Sequence, residues 1–216
     1  KEKNRAKKIF DILSKAYTNV KPALDYNSPF QLLIATILSA QCTDERVNIV
    51  TKDLFKKYKS PKDYLKVSSE ELEKDIYSTG FYKQKAKSIR NCCNELIENH
   101  NGEVPKDLDE LVKLSGVGRK TANVITSVIW NQPSMAVDTH VFRVSKRLGL
   151  VNQNASTPLA VEKQLVKHLD KEVIPLAHHW LILHGRYTCL ARKPKCDECH
   201  LTHFCRYFEK KENILR

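Results

Sequence analysis

Lys120, directly behind a glycine-flanked turn, is the residue in this chain best placed by its neighbours to act as a nucleophile. It stands in Leu114-Ser115-Gly116-Val117-Gly118-Arg119-Lys120-Thr121-Ala122-Asn123-Val124. An apolar helical pattern (Leu108, Leu111, Leu114) runs into Gly-Val-Gly, and a second helix starts at once. Two glycines two apart permit positive φ and a close approach of bare backbone to a ligand. The next helix presents unpaired N–H groups that favour an anion, and Arg119 and Lys120 add positive charge at the same spot. Lys120 therefore has two readings. It is a phosphate contact, or it is an amine kept neutral by the helix start, by Arg119 and by partial burial. A neutral amine can attack an electrophilic carbon and form a Schiff base.

A carboxylate and a group of thiols are the other chemistry-bearing features. Asp138, in Met135-Ala136-Val137-Asp138-Thr139-His140, follows a break in the pattern and precedes a helix. Its side chain suits an N-cap. The same carboxylate could offset positive charge developing on a sugar, or help to activate a nucleophile. Cys189, Cys196, Cys199 and Cys205 have the spacing C-x6-C-x2-C-x5-C. Thiolates so close repel one another unless a cation or a cluster neutralises them. One C-x2-C pair within a single wrapped loop suits a cubane cluster better than zinc, although both take four thiolates. Arg192, Lys193 and Lys195 lie between the first two cysteines, with Arg186 just upstream. They read as a solvated loop or as a basic loop touching nucleic-acid phosphate, and the overall charge favours the second.

That charge is a formal +12, from 37 Lys and Arg against 25 Asp and Glu in 216 residues. It points to a polyanionic partner, with nucleic acid ahead of an anionic membrane surface. The apolar run from Leu32 to Ala40 is too short to span a bilayer, and no apolar core follows Lys1-Glu2-Lys3 as a secretory signal would require. A cytoplasmic location is expected, at the nucleoid if the source is bacterial. Seven cysteines without a secretory signal argue against a disulfide framework.

About ten helices must position these groups, and no strand pattern of useful length appears. They are read at 7–17, from Ser28-Pro29 through Ala40, from Asp44 (as cap) to Tyr58, from Ser68 to Gly80, from Ala86 to Gly102, and either side of Gly-Val-Gly. Three more follow Asp138, Thr157-Pro158 and Ala177, the last ending at Gly185. All six glycines fall at helix ends or in the hairpin on this reading. Trp130-Asn131-Gln132-Pro133 marks a boundary between lobes.

The hairpin, Val137-Asp138-Thr139-His140, the cysteine loop and Ser39-Ala40-Gln41-Cys42-Thr43-Asp44 together resemble the endonuclease III family of helix-hairpin-helix, iron–sulfur DNA glycosylases. Order and spacing agree from about Ser28 to Cys205. The resemblance implies an all-α fold of two lobes flanking a DNA-binding groove. One is a six-helix lobe with the helix-hairpin-helix (22–132), and the other is an iron–sulfur cluster lobe (1–21 with 133–216). It implies a bifunctional DNA glycosylase and abasic-site lyase that excises oxidised pyrimidines in base excision repair. By the same resemblance Lys120 is the Schiff-base lysine, Asp138 the catalytic aspartate, and Cys189, Cys196, Cys199 and Cys205 hold a [4Fe–4S] cluster. Gly116, Val117, Gly118 and Arg119 grip DNA, and His140, Arg186, Arg192, Lys193 and Lys195 add contacts. Gln41 fills the hole left by an extruded nucleotide, and Phe81 wedges the opposite strand. Without the resemblance, Gln41 is a polar helix end, Phe81 a core aromatic and His140 a capping-turn residue.

The implied partner is double-stranded DNA containing damaged pyrimidines or abasic sites, bound by a monomer with no membrane role. Adenine-mismatch relatives are disfavoured because they carry a catalytic Glu in the first buried helix, near Ile37 here. Thymine-mismatch members place another residue where Lys120 stands. Three positions depart from the family pattern: Ser115 replaces the usual Pro and is expected to loosen the turn, Cys42 replaces a common Ala, and Phe81 replaces an aliphatic wedge.

Overall fold

The apolar stretch Leu32–Leu38 is buried on every side, as the absence of a polar face requires. The structure, a computed structural model, describes residues 2–18 and 23–214. The expected lobe boundary at 21/22 and Lys1 of the basic N-terminal run lie outside the described residues. Those described form twelve α-helices, three short 3-10 turns and no strand. They gather into two units, one drawn from Lys1–Val20 with Asn131–Arg216, the other from Lys21–Trp130.

The second unit is built around helix α2 (Pro29–Leu38). Ser28 starts it, its Oγ accepting from the Gln31 N–H at 3.1 Å, with Pro29 in the first turn where no N–H is missed. Around it lie α3 (Asp44–Lys57), α4 (Pro61–Lys66), α5 (Ser69–Ile76), α6 (Tyr82–His100), α7 (Leu108–Leu111) and α8 (Arg119–Trp130). Val47 and Leu54 of α3, Leu72 and Ile76 of α5, Ile89 and Leu96 of α6, and Ala122 and Ile125 of α8 share one core with α2. Thr43, not Asp44, caps α3, since its Oγ1 accepts from the Arg46 N–H at 3.3 Å. Asp44 instead places its charge in the first turn, where the helix dipole favours it.

The other unit joins α1 (Glu2–Ala16) to α9 (Thr139–Leu148), α10 (Pro158–His168), α11 (Ile174–Tyr187) and α12 (Arg206–Ile214). Ile9, Phe10 and Leu13 of α1 pack into one core with Val141 and Val144 of α9, Val161 and Leu165 of α10, and Ala177 and Leu181 of α11.

Three features differ from the sequence reading. Helices α4 and α12 are additional, so the unit that holds the hairpin has seven helices among its described residues where six are expected. Helix α11 does not stop at Gly185 but runs on to Tyr187. A Cβ at Gly185 would come within 3.0 Å of the His140 Cβ. Glycine costs helix propensity there, roughly 1 kcal/mol, but it lets α11 lie directly against α9. No helix is long and apolar enough to cross a membrane among the described residues.

Candidate functional site

In the hairpin unit, Leu114 and Val117 are buried and anchor the turn from below, while Gly118, Arg119 and Lys120 are exposed. The two glycines do different work. Gly116 adopts φ +80°, and a Cβ there would lie 3.0 Å from Ser88 Cβ and 3.5 Å from Ile37 Cγ2. Both conformation and packing against α6 and α2 demand glycine. Gly118 has an ordinary φ and open space where a Cβ would stand. No neighbouring side chain requires glycine at that point. Its carbonyl accepts the Ala122 N–H at 2.9 Å and begins α8. Lys120 thus sits in the first turn of α8. Its exposure corrects the expected partial burial: the protein alone does not desolvate this amine.

Ser115 does not leave the turn loose. Its N–H donates to Glu95 Oε2 and its hydroxyl to Glu95 Oε1, both at 2.7 Å. Proline could make neither bond, so the departure from the family pattern brings a two-point clamp onto α6. Charge-assisted bonds of this kind are short and strong.

Gln41 and Phe81 lie in two other turns of the same unit. Both are exposed, and Phe81, at 64% exposure, is no core aromatic. Among the described residues, five that are not glycine have positive φ: Gln41 (52°), Phe81 (48°), Asn101, Asn131 and Lys193 (50°). Asparagine adopts this region readily. For Gln, Phe and Lys it is uncommon and costs of order 1 kcal/mol or more. All three of those residues belong to the set expected to touch DNA. Tyr77 and Tyr82 flank Phe81, their rings 4.7 Å apart.

One residue here escaped the sequence reading. Lys85 of α6 is 5% exposed, and its Nζ donates to Leu38 O at 2.7 Å and Thr79 O at 2.8 Å. Burial pulls its pKa below the usual lysine value, and the nearby Cys42 sulfur pulls weakly the other way. A signal was available. Lys85 falls in register with Ile89, Cys92 and Leu96 on the buried stripe of α6, where a lysine is out of place unless it is bonded.

In the other unit Asp138 caps α9, its Oδ1 accepting from the Val141 N–H at 2.8 Å. His140, half-buried on α9, has Nδ1 3.2 Å from Arg143 Nη2. Guanidinium only donates, so a neutral imidazole there carries its proton on Nε2. Arg143 also donates to Gly185 O at 2.9 Å and to Cys189 O at 3.2 Å, tying α9 to the end of α11.

The cysteine stretch beyond α11 holds no regular element longer than a three-residue 3-10 turn before α12. Arginine bonds shape it instead. Arg147 donates to Leu190 O (2.6 Å) and Ala191 O (2.9 Å), approaches Cys189 Sγ at 3.5 Å, and lies over the Tyr207 ring. Arg5 of α1 donates to Leu148 O and Phe204 O, each at 2.8 Å. All four cysteines are half-buried and unlinked. Burial pushes the Cys199 thiol up, and the sulfurs of Cys205, Cys189 and Cys196 push the same way, so the four lie within electrostatic reach. The Leu201 N–H points at Cys199 Sγ (3.4 Å). Among the described residues, no three His, Cys, Asp or Glu side chains form a group able to hold one metal ion. Cysteine thiolates are the ligands an iron–sulfur cluster takes, and the N–H donors aimed at Cys199 and Cys189 suit it, since the sulfurs of such a site accept these bonds. Arg192, Lys193 and Lys195 on this stretch are exposed, as is Arg186 in the last turn of α11.

Residues 34–171 match the family described as HhH-GPD superfamily base excision DNA repair protein. Residues 189–205, from the first clustered cysteine to the last, match the iron–sulfur binding domain of endonuclease III. Fold and matched segments define a helix-hairpin-helix DNA repair enzyme. Endonuclease III of Bacillus subtilis (strain 168) is 51% identical over 202 residues, covering 94% of this chain and 92% of the relative. That of Escherichia coli K12 is 43% identical over 210 residues, covering 96% and 98%. The solved structure of a trapped endonuclease III–DNA covalent intermediate, an estranged-adenine complex, is 50% identical with a TM-score of 0.90, covering 97% of this chain and 98% of that one. The chain belongs to the endonuclease III family. It is a DNA glycosylase with abasic-site lyase activity, and its cofactor is a [4Fe–4S] cluster.

Proposed function

We propose that Lys120 is the nucleophile of this enzyme, that Asp138 assists it, and that the substrates are oxidised pyrimidines and abasic sites in double-stranded DNA. The observation that carries this reading is the amine one residue behind Arg119 and two behind the outward-facing bare backbone of Gly118. Phosphate gripped by the hairpin would bring a sugar alongside Lys120. Lys120 is exposed, so DNA lying over the hairpin is what would enclose its amine.

Lys120 Nζ attacks C1′ of the extruded nucleoside, and the bond to the base breaks with its electron pair leaving on the base. Asp138 offsets the positive charge that develops on the sugar. Its Oδ1 stays on the cap of α9, so Oδ2 is the oxygen for this task. Loss of a proton from the amine and opening of the sugar ring give an imine. The imine acidifies the C2′ proton, whose removal expels the 3′ phosphate by β-elimination. Hydrolysis of the imine then frees Lys120.

Gln41 and Phe81 hold the duplex open in this reading, Gln41 in the vacated place and Phe81 against the opposite strand. A damaged base costs less to extrude than a sound one. His140 donates from Nε2 to a lesion phosphate. Cys189, Cys196, Cys199 and Cys205 hold the cluster, which when bound supplies a covalent staple for the stretch carrying Arg192, Lys193 and Lys195, just beyond Arg186 of α11. The protein acts as a monomer on cytoplasmic DNA, at the nucleoid if its source is bacterial. Borohydride trapping on abasic-site DNA tests the nucleophile, because an enzyme without the Schiff base gives no covalent adduct. A denaturing gel run without alkali separates a strand-cleaving enzyme from a base-removing one. Competing oxidised-pyrimidine and damaged-purine duplexes test the substrate class.

A further inference from the structure

Lys85 stands near the start of α6, and its two acceptors belong to the turns that carry Gln41 and Phe81. Leu38 O closes α2, three residues before Gln41, and Thr79 O ends the 3-10 turn Tyr77–Thr79, two residues before Phe81. Both are carbonyls at helical C-termini, where the last C=O groups lack intrahelical partners and a cation is favoured. One buried ammonium therefore satisfies two helix ends from separate parts of the chain. The Lys85 N–H also donates to Phe81 O at 3.0 Å, so the same residue begins α6 behind the strained Phe81. Gln41 and Phe81 both hold positive φ, and such conformations persist only where the surroundings over-determine them.

We propose that Lys85 is a positioning residue for base extrusion, its ammonium tying the Gln41 and Phe81 turns so that both enter the duplex as one unit. The inference rests on the reading that those two side chains occupy the opened helix. A neutral or shorter side chain would leave two inward carbonyls unpaired and let the turns relax independently. Nothing in this role touches the sugar chemistry at Lys120. The effect falls on lesions that must be extruded against a paired strand.

The test is a mutant cycle read by single-turnover excision at saturating enzyme. Lys85→Met is made alone, in a Gln41→Ala/Phe81→Ala background, and beside that background itself. The substrates are a duplex with one thymine glycol and a single-stranded oligonucleotide with one abasic site. Lys85→Met alone is expected to slow duplex excision by about tenfold or more, the scale of losing charged hydrogen bonds at buried acceptors, with single-strand cleavage near wild type. In the Gln41→Ala/Phe81→Ala background it is expected to slow excision no further. Equal slowing in both backgrounds, or equal loss on both substrates, overturns the inference. If Gln41→Ala/Phe81→Ala itself excises at the wild-type rate, the parent reading falls and takes the inference with it. Should Lys85→Met fail to fold by circular dichroism, Lys85→Gln, which keeps one donor group, is carried through the same cycle, and the same two outcomes support or overturn the inference.

Discussion

The hairpin presents its basic residues from the first turn of α8, the cysteine stretch from irregular backbone, and the two are held by different means. The hairpin rests on packing: Leu114 and Val117 are buried, Gly116 fits against Ser88 and Ile37, and Glu95 clamps Ser115. The cysteine stretch has little apolar material beyond Leu201, and its shape comes from Arg5, Arg143 and Arg147 donating to carbonyls. Apolar packing holds without a cofactor. A stretch shaped by arginine bonds to carbonyls and carrying four cysteine ligands depends on one.

Cluster removal should sharpen that contrast most strongly. Replacing Cys199 with Ser is expected to abolish the broad absorbance near 400 nm typical of such clusters. Limited proteolysis should then cut first between 189 and 205, with the hairpin unit resisting longer; simultaneous loss of both would erase the contrast. Next in size is Gly116→Ala, which places a Cβ against Ser88 in a positive-φ position and should cost about 1–3 kcal/mol in chemical denaturation. Gly118→Ala meets nothing, so its stability should stay within about 0.5 kcal/mol of wild type while DNA affinity in a fluorescence titration falls. A Gly118→Ala protein that binds DNA normally would remove the hairpin's bare outer face from the account. Ser115→Ala, which loses one bond to Glu95 and keeps the N–H, should cost about 1 kcal/mol. Ser115→Pro loses both bonds but stiffens the turn, and should recover part of that cost.

Legibility in the sequence followed the same division. Stripes such as Leu32–Leu38 and caps such as Ser28, Thr157 and Asp138 are local, and each stands where residue type and spacing put it. Helix α4 offers only Tyr64 and Leu65 as apolar signal, and α12 is a charged surface helix, so periodicity finds neither. Gly185 reads as a stop because its reason for being glycine, His140 on α9, is 45 positions away. Ser115 and Glu95 are 20 apart, and Lys85 and Leu38 are 47 apart. Such pairings exist only once the chain has folded. The cysteine spacing and the Gly-Val-Gly hairpin are local, and they were readable for that reason.

The account turns on whether the amine of Lys120 reaches a sugar carbon. Wild-type protein and Lys120→Gln incubated with abasic-site duplex and borohydride, then resolved on a denaturing gel, decide it. A covalent protein–DNA band with wild type and none with Lys120→Gln, at undiminished DNA affinity, is the predicted result. An equally strong band from Lys120→Gln would assign the Schiff base to another amine.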